Sequence, residues 1–416
     1  MPDKIRPLQS PTARAFLGAQ SLSFLASAAV PIIISFALLD SRHSALDVGK
    51  VLAATDLPFV LLLLVGGAVA DRFSRKIVAV SSEFVRAFAL GSMAYVVSHR
   101  SFGTFELGAF GALWGCARAF FTPTLTGMTP EIFAQDGLVA ANAYREGGRS
   151  IGNLVGPAFA GISIVTLGPS KTLLIFAMIY CISGTWLIRM RLGQSRSLAS
   201  SSFIRDLKTG FHEVRSQSWC WVTIMVYAAM HLLVFGPFIV LGPVIAKAHL
   251  GGAEVWGILV AFEGVGGIVG ATAASKIKLR RPIWSSILIT LAGAPSFFLL
   301  ALHAPPIIVG VSIVAFGVGF VFFGVNWETA LQSHFPIEAM SRVSAFDIFG
   351  SVALLPVGQI LGGFSTQFVS PSVALSLSGA AFVVLSIALL VSRPIWRLET
   401  SARGENKNLT NNGDLA

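Results

Sequence analysis

Charged side chains are scarce in this sequence, at 12% of the 416 residues, whereas hydrophobic residues make up 54%. Soluble domains average roughly 25% charged residues, so the composition excludes an ordinary soluble protein. Tyrosine is also scarce, because only 4 tyrosines accompany 32 phenylalanines. This excess of phenylalanine suits an apolar solvent, and we therefore interpret the chain as a polytopic membrane protein.

Motifs for metal binding and nucleotide hydrolysis are missing as well. The three cysteines, Cys116, Cys181 and Cys220, lie in or beside apolar runs and lack the clustered spacing of a zinc site or a disulfide framework. The sequence contains no HExxH and no Walker Gly-rich loop with its lysine. We therefore expect no metal, no cofactor and no enzymatic activity, and an ion gradient as the energy source.

Long apolar runs dominate the chain, and a run of about 20 residues is enough to cross a membrane. They predict twelve spans, which a polar break divides into six and six. The predicted spans lie at about 13–37, 48–70, 77–97, 104–126, 139–166, 170–190, 218–246, 254–274, 282–302, 306–329, 342–367 and 371–392.

The same pattern predicts four regions along the chain. Residues 1–190 form an N-terminal six-helix bundle, and residues 218–392 form a C-terminal one. Between them, residues 191–217 form a cytoplasmic linker that contains an amphipathic helix, as the helical spacing of its apolar residues indicates. Residues 393–416 form a polar cytoplasmic tail that we expect to be disordered.

Lysine and arginine are distributed unequally between the two sides of the predicted membrane. If the N-terminus is cytoplasmic, the opposite side carries only Arg42, Lys50, Arg100, Lys171 and Lys247. Cytoplasmic loops carry the excess of positive charge, so both termini are predicted to be cytoplasmic. A basic face attracted to anionic lipid then explains the net charge of +10 without a nucleic-acid partner.

Two motifs carry a resemblance to a known family. The first, Gly67-Ala-Val-Ala-Asp71-Arg72-Phe-Ser-Arg75-Lys76, lies between the second and third spans, and the second, Gly152-x-x-x-Gly156-Pro157-x-x-Ala160-Gly161, lies in the fifth. The first resembles the loop motif of the major facilitator superfamily, and the second resembles the motif that marks its antiporters. The stretches 130–142 and 331–343 are similar to the twelve-span drug:proton antiporter branch, which includes macrolide-efflux and enterobactin-export proteins. The resemblance implies an all-α membrane fold of twelve transmembrane helices in two pseudo-symmetric six-helix bundles.

The loop motif, by this resemblance, is one half of a gating latch. Its acid faces the N-terminal end of the eleventh span, where unpaired N–H groups favour an anion, and a charge cluster completes the contact. The implied latch residues are Gly67, Asp71, Arg72, Arg75, Lys76, Glu131 and Asp347. The alternative is that the motif is only a topology signal with solvated charges.

The fifth-span motif presents small residues at helical spacing. The resemblance implies that Gly152, Gly156, Pro157, Ala160 and Gly161 help to seal the transport site against leakage. The alternative is ordinary close packing, because small faces let neighbouring helices approach one another.

Charged residues inside the spans are costly in hydrocarbon and usually face a cavity or a partner. Asp56 and Glu263 are the best candidates for carrying protons, and the alternative is that each forms a structural pair with a buried arginine. The proton-coupling candidates are Asp56, Glu263, Arg118, Glu146 and Arg149. His231, in the seventh span, either titrates or packs as a hydrogen-bonded histidine.

Aromatic residues are frequent in the fourth, seventh and tenth spans. In the superfamily, these spans and the first one line the central path. The candidates for the substrate cavity are Gln20, Trp114, Tyr227, Phe235, Phe320, Asn326 and Trp327. An apolar, aromatic cavity with few charges suits an amphipathic or hydrophobic solute better than a sugar or a phosphate ester.

These features together predict a secondary active transporter in a bacterial inner membrane. We expect it to export a small amphipathic or hydrophobic compound (a drug, a secondary metabolite or a siderophore) by proton antiport through alternating access. A lysophospholipid flippase or an importer of the same fold is the alternative, and a transport-dead sensor or scaffold is a third possibility. The expected partners are the substrate, protons and membrane lipids, and the expected state is a monomer.

Overall fold

The computed structural model describes residues 10–72, 74–99, 102–133, 138–190, 203–277, 279–336 and 339–398. All regular elements in these ranges are helical, which confirms the all-α prediction. The helices are α1 (Pro11–Asp40), α2 (Ala45–Arg72), α3 (Arg75–Ser98), α4 (Thr104–Ile132), α5 (Leu138–Leu167), α6 (Pro169–Arg189), α7 (Phe203–Ser216), α8 (Ser218–Met230), π1 (His231–Phe235), α9 (Gly236–Ile245), π2 (Ala246–Leu250), α10 (Ala253–Lys276), α11 (Pro282–Leu291), α12 (Pro295–Ala301), α13 (Pro306–His334), α14 (Met340–Val352), α15 (Leu355–Ser365), α16 (Pro371–Val391) and α17 (Arg393–Trp396).

Ten stretches of the described chain are long and apolar enough to cross a membrane. They coincide with ten of the predicted spans, and their ends differ from the predicted ones by a few residues. The predicted second and fourth spans correspond to α2 and α4, which have 28 and 29 residues. At 1.5 Å per residue, a helix of that length extends roughly 40 Å, so both also have the length of a membrane span.

Helix ends follow ordinary capping chemistry. Ser10 precedes α1, and its hydroxyl accepts a hydrogen bond from the Ala13 N–H at 3.5 Å. Ser370 precedes α16 in the same way, and in both helices the next residue is a proline, which suits the first helical position. Gly168, between α5 and α6, has a φ of +82°, a conformation that glycine adopts without a steric penalty.

Helical irregularities concentrate in the chain after the linker. The seventh span changes from α to π geometry at His231, just before Pro237. The ninth span is interrupted before Pro295, and the eleventh is interrupted before Leu355. Proline lacks the N–H that the preceding turn requires, and π segments often occur at functional sites.

Hydrogen bonds between α3 and α6 fix the relative direction of these two helices. At the start of α3, the Lys76 ammonium donates to the carbonyl oxygens of Ile188 and Met190, at the end of α6. At the other end of the same pair, the Ser170 hydroxyl donates to the Ala94 carbonyl oxygen at 2.8 Å. The helices are therefore antiparallel, and we call the end of the molecule that carries Lys76 the basic end.

Helices pack on neighbours from the same side of the linker and also across it. In the N-terminal half (α1–α6), α2 packs on α4, α3 packs on α4 and α6, and α1 packs on α5 and α6. In the C-terminal half (α8–α16 with π1 and π2), α10 and α11 pack on α13, and α15 packs on α9. The main contacts between the halves are α5 with α10 and α2 with α15.

The predicted linker helix is present as α7, and its Phe211 ring contacts those of Trp221 and Phe346 in the C-terminal half. Residues 191–202 of the linker lie outside the described residues. Of the predicted tail, residues 393–398 are described, and Ile395 in α17 is fully buried. Residues 399–416 also lie outside the described residues.

Candidate functional site

A cavity of about 300 Å³ lies between α1 and the C-terminal half. Helix α1 contributes Ala28, Pro31 and Ile32. The C-terminal half contributes His231, Phe235, Phe238, Ile239, Pro243, Trp256, Val260, Glu263, Phe297, Phe316, Phe320 and Leu355. The volume is at the lower end of the range for small-molecule sites, and the mostly apolar lining is typical of them.

Aromatic rings form most of the wall. Phe235, Phe316 and Phe320 contact one another, with ring centroids 5.8–6.2 Å apart. Phe238 contacts Trp256 at 5.6 Å and Phe297 at 5.3 Å. These are favourable distances for aromatic pairs, so the rings support one another and hold the shape of the cavity.

Among the described residues of the lining, Glu263 is the one carboxylate, and none is a lysine or an arginine. Its side chain is half-buried on α10, and no hydrogen bond or ion pair joins it to any residue that the structure describes. His231 lies in the same lining, and its Nδ1 is 2.9 Å from the Tyr227 carbonyl oxygen. Because a carbonyl oxygen only accepts, Nδ1 carries a proton there.

Asp56, by contrast, is held by two partners. The Arg118 guanidinium donates to Oδ1 at 3.1 Å, and the Gln359 amide donates to Oδ2 at 2.8 Å. Arg118 also lies over the Phe59 ring at 4.1 Å. Asp56 and Arg118 belong to the N-terminal half, whereas Gln359 belongs to α15 of the C-terminal half. Asp56 therefore forms an ion pair within its own half and a hydrogen bond to the other half.

A second ion pair lies deep in the N-terminal half. Glu83 and Arg86, three residues apart on α3, meet at 2.9 Å, and their side chains are 0% and 1% exposed. The Arg86 guanidinium lies between the rings of Phe121 and Tyr180, at 4.0 and 4.5 Å. The Tyr180 hydroxyl is hydrogen-bonded to Ser27 of α1, so this cluster connects α1, α3, α4 and α6.

The predicted latch residues are partly described. Arg75 donates to Glu131 and to the Gly127 carbonyl oxygen, each at 2.7 Å, so this ion pair fastens α3 to α4 at the basic end. Asp347 accepts from the Trp327 indole N–H at 2.9 Å and is held within the C-terminal half. The structure does not describe the side chains of the other latch residues, Gly67, Asp71 and Arg72.

The small residues of the fifth-span motif lie against two helices. A Cβ on Gly156 would meet the Leu25 carbonyl oxygen of α1, and one on Gly152 would lie 2.7 Å from the Leu25 nitrogen. On the other side, a Cβ on Gly161 would meet the Ala253 carbonyl oxygen at the start of α10. Ala160 is fully buried, and Pro157, inside the continuous helix α5, presents its carbonyl oxygen to Gly257 of α10.

The two halves also touch at the end opposite the basic one. Lys247 of π2 donates to Asp40 of α1 at 2.6 Å. A Cβ on Gly49 would meet the Gln359 carbonyl oxygen, and a Cβ on Gly363 would meet the Ala45 carbonyl oxygen. These contacts bring the start of α2 against α15, on the side of the cavity away from the basic end.

The sequence matches the family described as transmembrane secretion effectors, within the major facilitator superfamily, over residues 3–411. The chain belongs to this family. It is 26% identical to the multidrug efflux pump Tap of Mycolicibacterium fortuitum, over 86% of this chain and 89% of that protein. It is 21% identical to macrolide efflux protein A of Streptococcus pyogenes, over 91% and 95%. The family and these relatives are transporters, so the chain is a membrane transporter and not an enzyme.

Solved structures show the same fold. A variant of the nucleoside transporter NupG matches with a TM-score of 0.77 at 13% identity, over 92% of this chain and 99% of that one. A transporter of the POT family, in complex with 5-aminolevulinic acid, matches with a TM-score of 0.70 at 11% identity, over 91% and 95%. At such identities the likeness concerns the fold alone.

Several predicted site residues of this transporter lie away from the cavity. Phe235 and Phe320 line it, whereas the other five predicted cavity residues do not. Gln20 and Trp114 are buried in the N-terminal half, Tyr227 stacks on Phe323, Asn326 donates to Ser286, and Trp327 donates to Asp347. Of the proton-coupling candidates, Glu146 and Arg149 are more than half exposed and only 3.9 Å apart, so they do not form a buried pair.

Two features escaped the sequence reasoning. The Glu83–Arg86 pair has i, i+3 spacing inside a span, which places both charges on one helix face, and that spacing could have revealed it. The letters Gly148-Arg149-Ser150-Ile151-Gly152 match the G-x-S-x-G pattern of a nucleophile elbow. That motif needs a sharp strand-to-helix turn, and here it lies inside the continuous helix α5.

Proposed function

We propose that this transporter exports amphipathic or hydrophobic compounds in exchange for protons, through alternating access of the cavity to the two sides of the membrane. The observation that carries the proposal is Glu263, a carboxylate in an apolar aromatic cavity that has no ion-pair or hydrogen-bond partner among the described residues. The drug and macrolide efflux relatives support the export direction and the substrate type.

The membrane arrangement that we propose has twelve spans in two six-helix bundles, with both termini in the cytoplasm of a bacterial cell and the protein in its inner membrane. The ten apolar stretches together with α2 and α4 supply the spans. The basic end faces the cytoplasm by the positive-inside rule. The Asp40–Lys247 pair and the α2–α15 contact then close the outer side, which corresponds to an inward-facing arrangement.

Proton exchange in this proposal takes place at Glu263, whereas Asp56 links the halves. Asp56 already has a cation and an amide as partners, whereas Glu263 has neither among the residues that the structure describes. A charge in a low-dielectric site without a partner is costly, and protonation removes this cost, so Glu263 is the proton-binding group in this proposal. A proton that arrives from outside displaces the substrate and allows the empty transporter to return.

Everted membrane vesicles with an imposed pH gradient test this proposal. The wild type should move dyes or drugs into the vesicles, Glu263→Gln should abolish the gradient-dependent part, and Glu254→Gln should behave as the wild type. Glu254 lies on the same helix and is exposed, so it is a matched control. Unaltered transport by Glu263→Gln would refute its role, and transport in the opposite direction would favour the importer.

A further inference from the structure

A second cavity, of about 690 Å³, lies at the basic end, between the start of α1 and the end of α6. Its described lining residues are Pro11, Thr12, Arg14, Ala15, Trp186 and Arg189. The two helices are in contact below it, because a Cβ on Gly18 of α1 would meet the Trp186 ring of α6. None of these residues lines the cavity that contains Glu263, so the two cavities are distinct.

This second cavity is positively charged. Arg14 and Arg189 come from different helices, and the side chain of neither has an ion-pair or hydrogen-bond partner among the residues that the structure describes. No aspartate or glutamate is among the described lining residues. The Lys76 ammonium adds charge beside Arg189, because it is held on the carbonyl oxygens of Ile188 and Met190. Guanidinium groups bind phosphate through paired N–H···O bonds, so this chemistry favours a phosphate.

An exposed apolar stripe leads away from the cavity along α6. Its large side chains recur every four residues on one helix face, and each is 37–57% exposed: Leu174, Met178, Ile182 and Trp186. The last of them lines the cavity, and Arg189 follows within one turn. Tryptophan is enriched where a membrane meets water. An apolar stripe that ends in a basic cavity matches the two parts of a phospholipid, an acyl chain and a charged headgroup.

We propose that this cavity binds an anionic phospholipid of the cytoplasmic leaflet, with its phosphate on Arg14 and Arg189 and one acyl chain along the α6 stripe. Basic pockets between helices on the cytoplasmic side bind anionic headgroups, whereas the cation of a zwitterionic headgroup would be repelled by both arginines. The inference rests on the proposed membrane orientation. It does not depend on which compound the protein transports or in which direction.

Lipid binding to the full-length protein in detergent tests the inference. Phosphatidylglycerol and phosphatidylcholine with the same acyl chains differ in net headgroup charge, and inorganic phosphate supplies the anion without the chain. Native mass spectrometry counts the bound lipids and gives their affinities. The wild type should bind one phosphatidylglycerol at least about tenfold more tightly than phosphatidylcholine, and an equal concentration of inorganic phosphate should not displace it.

Variants then assign the preference to the two arginines. Arg14→Gln and Arg189→Gln should each lower the affinity for phosphatidylglycerol about fivefold or more, and the double variant should bind both lipids equally. Arg14→Lys keeps the charge and should retain most of the preference. Arg397, an exposed arginine beyond the last span, is the matched control, and Arg397→Gln should behave as the wild type. If the double variant does not fold, the single variants decide the question.

Three results would overturn the inference. The first is equal affinity of the wild type for the two lipids, or a preference that survives the double variant. The second is displacement by inorganic phosphate, which would indicate a site for a free anion. The third is an equal loss of thermal stability of the variants in nanodiscs of either lipid, which would indicate that the arginines bind another segment of the chain.

The same measurements separate this inference from the proposed function. If the preference for phosphatidylglycerol depended on Arg14 and Arg189 but no compound were moved in vesicles, the lipid site would stand and the export function would fail. If the two lipids bound equally and compounds were moved by the pH gradient, the export function would stand without the lipid site.

Discussion

The two halves of the molecule differ in the partners of their buried and half-buried carboxylates. In the N-terminal half, Asp56 and Glu83 each have an arginine partner, and both arginines lie over aromatic rings. In the C-terminal half, Glu263 has no partner among the described residues, and Asp347 has only hydrogen-bond donors. Internally balanced charges suit a fixed scaffold, whereas an unbalanced carboxylate in a cavity suits an exchangeable ligand.

The regularity of the helices also differs between the two halves. Helices α1 and α5 contain Pro31 and Pro157 and continue through them. The C-terminal half instead interrupts its seventh, ninth and eleventh spans. The interruption at His231–Phe235 carries two of the cavity-lining residues, so local irregularity and the candidate site coincide in one half.

The largest expected effect comes from breaking the balanced pair on α3. Glu83→Gln would leave Arg86 buried without a counter-charge, and removing one partner of a buried pair costs about 3–5 kcal/mol. The matched change Glu263→Gln strands no cation and should alter the stability by less than about 1 kcal/mol. Thermal unfolding in detergent measures the loss of stability in both variants. Equal losses would contradict the difference in pairing between Glu83 and Glu263.

A smaller effect is expected from the contact between the halves at Asp56. Gln359→Leu removes a hydrogen bond to a charged group, which contributes about 1.5–3 kcal/mol, while the Arg118 pair remains. A double-mutant cycle with Asp56→Asn should give a coupling energy of about 0.5–3 kcal/mol in unfolding experiments. If the changes in unfolding free energy of the two variants were additive, Gln359 and Asp56 would not be energetically coupled.

The fifth-span motif allows a comparison within one helix. Gly156→Ala would press a methyl group against the Leu25 carbonyl oxygen, and overpacking costs about 1–3 kcal/mol. Gly147→Ala meets no atom within 4 Å and should stabilise the helix by about 0.5–1 kcal/mol. The sign of the change in unfolding temperature distinguishes them, and a shift of the same sign in both would contradict close packing at Gly156.

The smallest effect is expected at Asp40–Lys247, where both side chains are more than a third exposed. Exposed ion pairs contribute about 0.2–1 kcal/mol and are screened by salt. Lys247→Gln should therefore reduce the stability slightly at low ionic strength and not at about 1 M salt. A loss of stability that persists at high salt would show that the contribution of Lys247 is not mainly electrostatic.

Helices and local contacts were accessible from the sequence, because they depend on apolar run length and on short spacings. The Arg75–Glu131 pair, which the family resemblance implied, is present at 2.7 Å. The Asp56–Gln359 bond was not accessible, because it joins residues 303 positions apart and nothing local in one sequence specifies that pairing.

The membership of the cavity was accessible only in part. Phe316, Phe320, Phe323 and Trp327 recur at helical spacing along α13, yet only the first two line the cavity. Phe323 and Trp327 stack on each other, and Trp327 also contacts Trp219. An aromatic stripe does not show which part of a helix faces a cavity and which part faces a neighbouring helix.

The most direct test of the central claim, that Glu263 gives up a proton when the exported compound binds, is proton release on binding. Addition of a dye or drug that the vesicle assay shows to be transported should release up to about one proton per bound molecule from the purified protein in weakly buffered solution, when Glu263 is protonated beforehand. Glu263→Gln should release none, and Glu254→Gln should release as much as the wild type. Binding without release at any pH, or unaltered release from Glu263→Gln, would contradict the account.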